Sequence, residues 1–257
     1  MIAGALGDTA VLTGRTVRHV LRSPDTIITT TIMPIAMMLL FVYVFGGAIE
    51  TGAGVGSSAY VDYLLPGILL ITVASGTAYT AFRLFGDRAG GIVDRFRSMP
   101  IARSSVLWAH VLTSLLAILV SLAAVVGAAL LMGFRSDAGA LEWLAVVGIL
   151  ALFTLALTWI AVIPGLTAKS VDGASAFSYP LIFLPFISSA FVPTTSMPAP
   201  VRWFAEHQPV TAIVDAIRGL LAHEPAGAEI WTALAWCVGA ALAAGVAATA
   251  ISRRRIG

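Results

Sequence analysis

Residues 106–132 read Val-Leu-Trp-Ala-His-Val-Leu-Thr-Ser-Leu-Leu-Ala-Ile-Leu-Val-Ser-Leu-Ala-Ala-Val-Val-Gly-Ala-Ala-Leu-Leu-Met, a run without one carboxylate, amide, lysine or arginine. A helix needs about 20 apolar residues to cross a hydrocarbon core of roughly 30 Å, and this run exceeds that. In lipid the backbone must satisfy its own hydrogen bonds, which an isolated segment achieves only as helix. Stretches of the same kind lie at Thr26–Phe45, Leu64–Phe82, Trp143–Leu166, Ala174–Val192 and Ile230–Ile251. The sequence therefore predicts an all-α, polytopic membrane protein with six transmembrane helices, residues 26–257 forming one membrane domain.

The composition agrees. Of 257 residues 59% are hydrophobic and 11% charged, against roughly 25% charged in a soluble domain, and the mean hydropathy is +0.95. Six spans put both ends of the chain on one side, and the cations decide which. Arg15, Arg18, Arg22, Arg83, Arg88, Arg95, Arg97, Arg103, Lys169 and Arg253 to Arg255 fall on the side of the termini, whereas only Arg135, Arg202 and Arg218 fall on the other. The positive-inside rule then predicts a multi-pass protein of the plasma (inner) membrane with both termini cytoplasmic. The net charge of +2 follows from that asymmetry and gives no reason to expect a nucleic-acid partner. The first long apolar run begins only at Thr26, after Asp8, Arg15, Arg18 and Arg22, so no cleavable leader is expected. Cys237 is the single cysteine, which excludes an internal disulfide or a cysteine metal cluster.

Three segments outside the spans carry pattern. In residues 1–25, Leu6, Ala10, Thr13, Val17, Val20 and Leu21 fall on one side of a helical wheel, opposite Asp8, Arg15, Arg18, His19 and Arg22. That predicts an amphipathic interfacial helix on the inner leaflet. Residues 83–105 hold five arginines around Gly90-Gly91, a mixed-charge cytoplasmic loop richer than a topological anchor requires. Residues 193–228 predict two short outer helices, Pro200–His207 and Val210–His223, separated by Gln208-Pro209, with Asp215 and Arg218 opposite an apolar stripe. Re-entrant pieces of this kind could cap a pathway, with Phe204, Glu206, His207, Pro209, Asp215 and Arg218 as the outer gate, or could be a plain surface pair.

No energy source is visible in the chain. Gly165-Leu-Thr-Ala-Lys169-Ser170 lacks the glycines that let a phosphate loop wrap its ligand. The spans hold no carboxylate for ion exchange, and His19, His110, His207 and His223 have no metal-like spacing. Neither catalysis nor a resident metal or cofactor is expected. The spans do offer hydroxyls: Thr26, Thr29 and Thr30 share a face with Met33 and Met37, and Thr72, Ser75 and Tyr79 share another. His110, Ser114 and Ser121 align in the third span. These faces suit a path for amphiphiles, or they hydrogen-bond neighbouring helices.

The loop Gly90-Gly91-Ile92-Val93-Asp94-Arg95-Phe96-Arg97-Ser98-Met99-Pro100-Ile101-Ala102-Arg103 resembles the glycine, Asp-Arg-x-Arg, Pro-x-x-Arg loop of type-2 ABC exporter permeases, the daunorubicin/multidrug-resistance group in particular. The resemblance extends over nearly the whole chain, including Met197-Pro198, Phe204 to Pro209 and Asp215 to Arg218. It implies that residues 83–105 form a coupling helix docking on a separate ATP-binding-cassette ATPase, with two ATPase copies and a second permease copy, homo- or heterodimeric. It also implies ATP and Mg²⁺ on that partner chain, none on this one, and export of hydrophobic or amphipathic compounds, drug-like natural products or lipids. The residues suit docking: Ile92, Val93 and Phe96 supply an apolar knob, Asp94, Arg95 and Arg97 orienting charge, and Pro100 a stop to the helix. The competing readings are an ion-coupled carrier or channel that works without an ATPase, and a non-transporting membrane scaffold.

Overall fold

The computed structural model describes residues 13–14, 24–45, 57–91, 103–225 and 227–256, and no strand occurs among them. Helix α1 covers residues 24–45 and alternates α-helical turns (Pro24–Ile27, Met33–Leu39) with π-helical ones (Ile28–Ile32, Leu40–Phe45). Then follow α2 (Ser57–Ala89), α3 (Arg103–Leu131) and α4 (Ala140–Thr167). Two short helices, α5 (Val171–Ser175) and α6 (Ser178–Phe183), lead into a 3-10 turn at Leu184–Ile187. A second 3-10 turn at Thr194–Ser196 precedes α7 (Ala199–His207), α8 (Pro209–Leu221) and α9 (Ala228–Ile256).

Among the described residues four helices are long and apolar enough to cross a membrane, at Tyr60–Ala89, Leu107–Leu131, Ala140–Thr167 and Ala228–Ser252, and two shorter apolar stretches lie at Ile28–Val44 and Val171–Ile187. Four of the six expected spans thus match long helices, and the expected first and fifth coincide with the shorter stretches. The fifth departs most from expectation. Instead of an unbroken helix over Ala174–Val192, it breaks between α5 and α6 and leaves helical geometry at Ser188, where φ is −136°. Pro180 and Pro185 lack the N–H that would continue an i to i−4 ladder.

The freed backbone of this corner is paid for by neighbours. The Ser188 hydroxyl donates to the Pro185 carbonyl at 2.6 Å and accepts from the Ala190 N–H at 3.1 Å, while the Gln208 amide donates to the Ile187 carbonyl. Ser188, Ser189 and Ala190 are buried, the condition under which non-helical backbone is tolerated at membrane depth.

Helix α2 is the axis of the bundle and packs against α1, α3, α4, α5, α6 and α8. Val61, Leu64, Leu65, Ile68, Leu69, Leu70, Ile71 and Val73 are all buried, so between residues 61 and 73 it buries apolar side chains around most of its circumference, as an enclosed stretch of helix does. By contrast α9 is the least enclosed, leaving Trp231, Trp236, Leu242 and Val246 exposed. Lipid covers such side chains at no hydrophobic cost.

Close packing of α2 on the corner depends on Gly67. A Cβ there would meet Ala190 Cβ at 2.7 Å, and neither methyl has a rotamer to retreat into. Gly67→Ala is expected to destabilise the chain by roughly 1–3 kcal/mol through overpacking, with Ala190→Gly restoring most of the loss. Thermal unfolding of both variants and the double variant in detergent checks this, and additive losses would disprove the contact.

Candidate functional site

The polar side chains of the bundle gather in two places along α2, at its opposite ends. At the first, the Arg218 guanidinium of α8 lies over the Tyr63 ring at 4.0 Å. Its Nη1 donates to Asp215 Oδ1 at 2.9 Å, and its Nη2 to the carbonyls of Ser189 at 2.8 Å and Tyr63 at 3.3 Å. The Tyr63 hydroxyl donates to the same Ser189 carbonyl at 2.9 Å, and the Ser189 hydroxyl to Asp215 Oδ1 at 2.6 Å. One planar cation therefore joins α2, the corner after α6, and α8.

The apolar stripe of α8 is buried as its periodicity predicts, with Val210, Ile213, Val214, Ile217, Leu220 and Leu221 inside. Asp215 and Arg218, expected on the opposite face, are instead drawn into this network. The other outer residues behave differently. Glu206 pairs with Arg202 at 2.7 Å on the surface of α7. His207 stacks on Trp203 at 4.9 Å between ring centroids. Phe204 is exposed, and Pro209 opens α8 at the position where a missing N–H costs nothing. His223 turns at a positive φ of 55° and sets its Nδ1 2.9 Å from Glu142 Oε1, tying the end of α8 to the start of α4.

The second cluster is a polar seam where α1, α2 and α3 meet. Thr31 donates to Ser121 Oγ at 2.9 Å, with Thr30 Oγ1 3.3 Å from the same oxygen. The Tyr79 hydroxyl donates to Thr29 Oγ1 at 3.0 Å. Further along, Thr80 donates to Ser114 Oγ at 2.7 Å, and Arg83 Nη2 donates to it at 3.0 Å. One turn on, His110 Nε2 lies 3.2 Å from Asp87 Oδ2.

The structure thus brings Thr29, Thr30 and Tyr79 of the expected path together. Thr26 and Ser75 are buried beside them, and Thr72 is buried with its hydroxyl turned back to the Ile68 carbonyl at 2.8 Å. Met37 is half-buried, whereas Met33 stands 66% exposed on the outward side of α1. Sequence reading missed Thr80, Arg83 and Asp87 as members of this seam. The signal was there: Thr72, Gly76, Tyr79, Arg83 and Asp87 form one helical stripe, but it was cut at Phe82, where the apolar run stops and the helix does not.

Beyond the seam, Arg88 donates to the Leu166 and Ala168 carbonyls at the end of α4, supplying partners that a helix terminus lacks. Helix α2 then closes at Gly91, whose φ of +70° is the left-handed geometry of a helix C-terminus. The Gly90 and Gly91 N–H groups donate to Gly86 at 2.8 Å and Arg88 at 3.2 Å. Of the expected coupling residues, Ile92, Asp94, Arg95, Phe96, Arg97, Met99 and Pro100 lie outside the described residues, as does most of the predicted leading helix; Arg103 opens α3.

Known proteins are similar in sequence to this chain. A daunorubicin resistance ABC transporter permease protein of Streptomyces coeruleorubidus is 32% identical over 226 residues, 86% of this chain and 76% of the relative. A probable doxorubicin resistance ABC transporter permease protein of Mycobacterium tuberculosis (strain ATCC 25618 / H37Rv) is 26% identical over 236 residues, 89% of this chain and 83% of the relative. The family model described as "ABC-2 type transporter" matches residues 8–222, which take in α1 to α8 and both polar clusters. With its apolar spanning helices and this match over most of its length, the chain belongs to the ABC-2 type transporter family and is a type-2 ABC exporter permease.

Proposed function

We propose that this chain is the six-span, non-catalytic permease subunit of an ATP-driven exporter that moves hydrophobic or amphipathic compounds, drug-like natural products or lipids, out of the cytoplasm or inner leaflet. The names of its relatives, which carry daunorubicin and doxorubicin resistance, support the drug-like class. Energy comes from a separate ATP-binding-cassette ATPase, two copies of which hold ATP and Mg²⁺ and act on two permease copies. The loop 83–105 is the docking element, and both termini are cytoplasmic in the inner membrane.

The observation that carries this reading is the continuity of α2. It runs unbroken from the Tyr63–Arg218 cluster, through the seam with α1 and α3, to Gly91, where the proposed docking segment begins. A push on residues 92–100 is a push on the most enclosed helix of the bundle, which suits rigid-body transmission between inward- and outward-facing states. The seam residues Thr26, Thr29, Thr30, Thr72, Ser75 and Tyr79, with Met33 and Met37, are the proposed substrate path. Phe204, Glu206, His207, Pro209, Asp215 and Arg218 are the proposed outer gate.

The test is affinity purification of the tagged chain from native membrane with ATPase activity assayed on the eluate. A co-purifying ATPase is expected. A lone chain that conducts or exchanges solute without ATP would overturn the exporter in favour of a channel or carrier.

A further inference from the structure

Arg83 is a cation with too few partners. Its Nη2 reaches Ser114, but Nε and Nη1 are sealed from solvent and hydrogen-bond to nothing. The carboxylate one turn away attracts it but supplies no acceptor to Nε or Nη1, since Asp87 directs Oδ2 at His110 Nε2. The Ser114 hydroxyl already accepts from Thr80 as well as from Arg83. On the facing turns of α3, His110 Nδ1 and Thr113 Oγ1 are buried without partners too, His110 being 5% exposed and Thr113 fully enclosed. An arginine serving only as a topology anchor would extend its stem and place the guanidinium in water. This one is held back between two helices.

Its depth is informative. Arg83 lies twenty residues from Tyr63 on one helix, a rise of about 30 Å, the thickness of a hydrocarbon core. With Tyr63 and Arg218 at one membrane surface, Arg83 sits at the headgroup level of the other. Beside it, the outward side of α2 is open. Phe82 is 44% exposed, and nothing lies within 4 Å of where a Cβ on Gly86 would stand. Tyr79 packs edge-on to Phe82 at 6.3 Å and continues that apolar strip toward α1.

We propose that Arg83 is the headgroup anchor of a binding site for an anionic amphiphile, whose tail lies along Tyr79, Phe82 and Gly86 and whose phosphate or carboxylate enters between α2 and α3. An anion supplies acceptors of the kind that Nε and Nη1 lack, two of its oxygens taking one edge of the guanidinium, either Nε with Nη2 or Nη1 with Nη2, in the fork geometry that edge favours. A cationic amine brings repulsion to the same place. Taking the occupant as cargo rests on the exporter reading; the binding itself does not.

The experiment is equilibrium dialysis of the full chain in dodecyl maltoside micelles against radiolabelled dodecyl phosphate, with dodecyltrimethylammonium and inorganic phosphate as competitors. Dodecyl phosphate is expected to bind at least about tenfold more tightly than either competitor. Arg83→Gln is expected to weaken it by about tenfold or more, Arg83→Lys by less, because the charge remains while the fork is lost. Arg135→Gln, in the loop before α4, should leave binding unchanged. Equal competition by the ammonium, full competition by inorganic phosphate, or undiminished binding to Arg83→Gln each overturns the proposal. Should Arg83→Gln fail to fold, the phosphate-to-ammonium ratio on the native chain and the lysine variant decide it. No arm requires ATP, so failure here is separate from failure to recover an ATPase. In the co-purified complex, dodecyl phosphate stimulating ATP turnover marks the occupant as cargo, and binding without stimulation overturns that assignment in favour of a structural lipid.

Discussion

Arg218→Ala is expected to lower the thermal unfolding midpoint of the detergent-solubilised chain more than truncation of any other polar side chain in α8. The substitution removes the stack on Tyr63, the pair with Asp215 and the donors to two carbonyls in one step. It leaves Asp215 with only the Ser189 hydroxyl and the Tyr63 carbonyl without its Arg218 partner. Breaking a fully buried pair costs about 3–5 kcal/mol. Arg218 and Asp215 are 25% and 35% exposed, so solvent recovers part of this and roughly 2–3 kcal/mol is the expected loss. Arg218→Lys should fall between, since an ammonium can hold Asp215 but cannot span Asp215 and two carbonyls in one plane. An unchanged midpoint for the alanine variant would mean that the corner at 188–190 is held without Arg218, by the Ser188, Gln208 and Tyr63 hydrogen bonds and the close packing on Gly67.

Phe96→Asp is expected to have the largest effect on activity. A central aromatic anchor of an interface commonly carries about 2 kcal/mol or more, and placing a carboxylate there adds a desolvation cost. ATPase recovery on the tagged chain should therefore fall by roughly thirtyfold or more, and ATP-dependent export with it. The chain should remain in the membrane at normal level, because the substitution lies outside every span. Phe96→Leu, which keeps an apolar side chain, should retain most of the association. An undiminished ATPase yield with substrate-stimulated turnover in the aspartate variant would show that docking lies elsewhere.

The membrane architecture was legible because lipid imposes one simple demand, a long apolar run: Leu64–Phe82, Trp143–Leu166 and Ile230–Ile251 each fall within a long helix, and Val106–Met132 overruns its helix by one residue. The outer pair was legible for a different reason. The stripe of α8 is amphipathic, so periodicity gave its extent to within two residues. Periodicity says nothing where a helix is apolar all round, and that is why the π-helical turns of α1 and the break after α5 went unseen. Pro180 and Pro185 were the available hint for the latter.

Polar residues were the hardest to place. Asp215 and Arg218 sit opposite the stripe in sequence, yet the long Arg218 side chain reaches over the helix to Tyr63 and Ser189, and the Ser189 hydroxyl comes to Asp215. Arg83 was counted as loop charge because hydropathy ends at Phe82, whereas helix geometry carries on to Ala89. The hydroxyl faces were visible, but only the folded bundle shows Thr29 meeting Tyr79 and Thr31 meeting Ser121.

Helix α2 is clamped at both ends, by Arg218 over Tyr63 and by Arg88 on the last carbonyls of α4. A lone helix answers a thick or thin bilayer by tilting or by sliding its flanking side chains along the interface. Neither freedom is open to α2, since each clamp belongs to a different neighbour. The clamps stand twenty-five residues apart on α2, about 38 Å of helix rise, so the molecule is a gauge of fixed length that spans a hydrocarbon layer of about 30 Å with a clamp beyond each face. In membranes of other thickness it is the lipid around it that must stretch or thin.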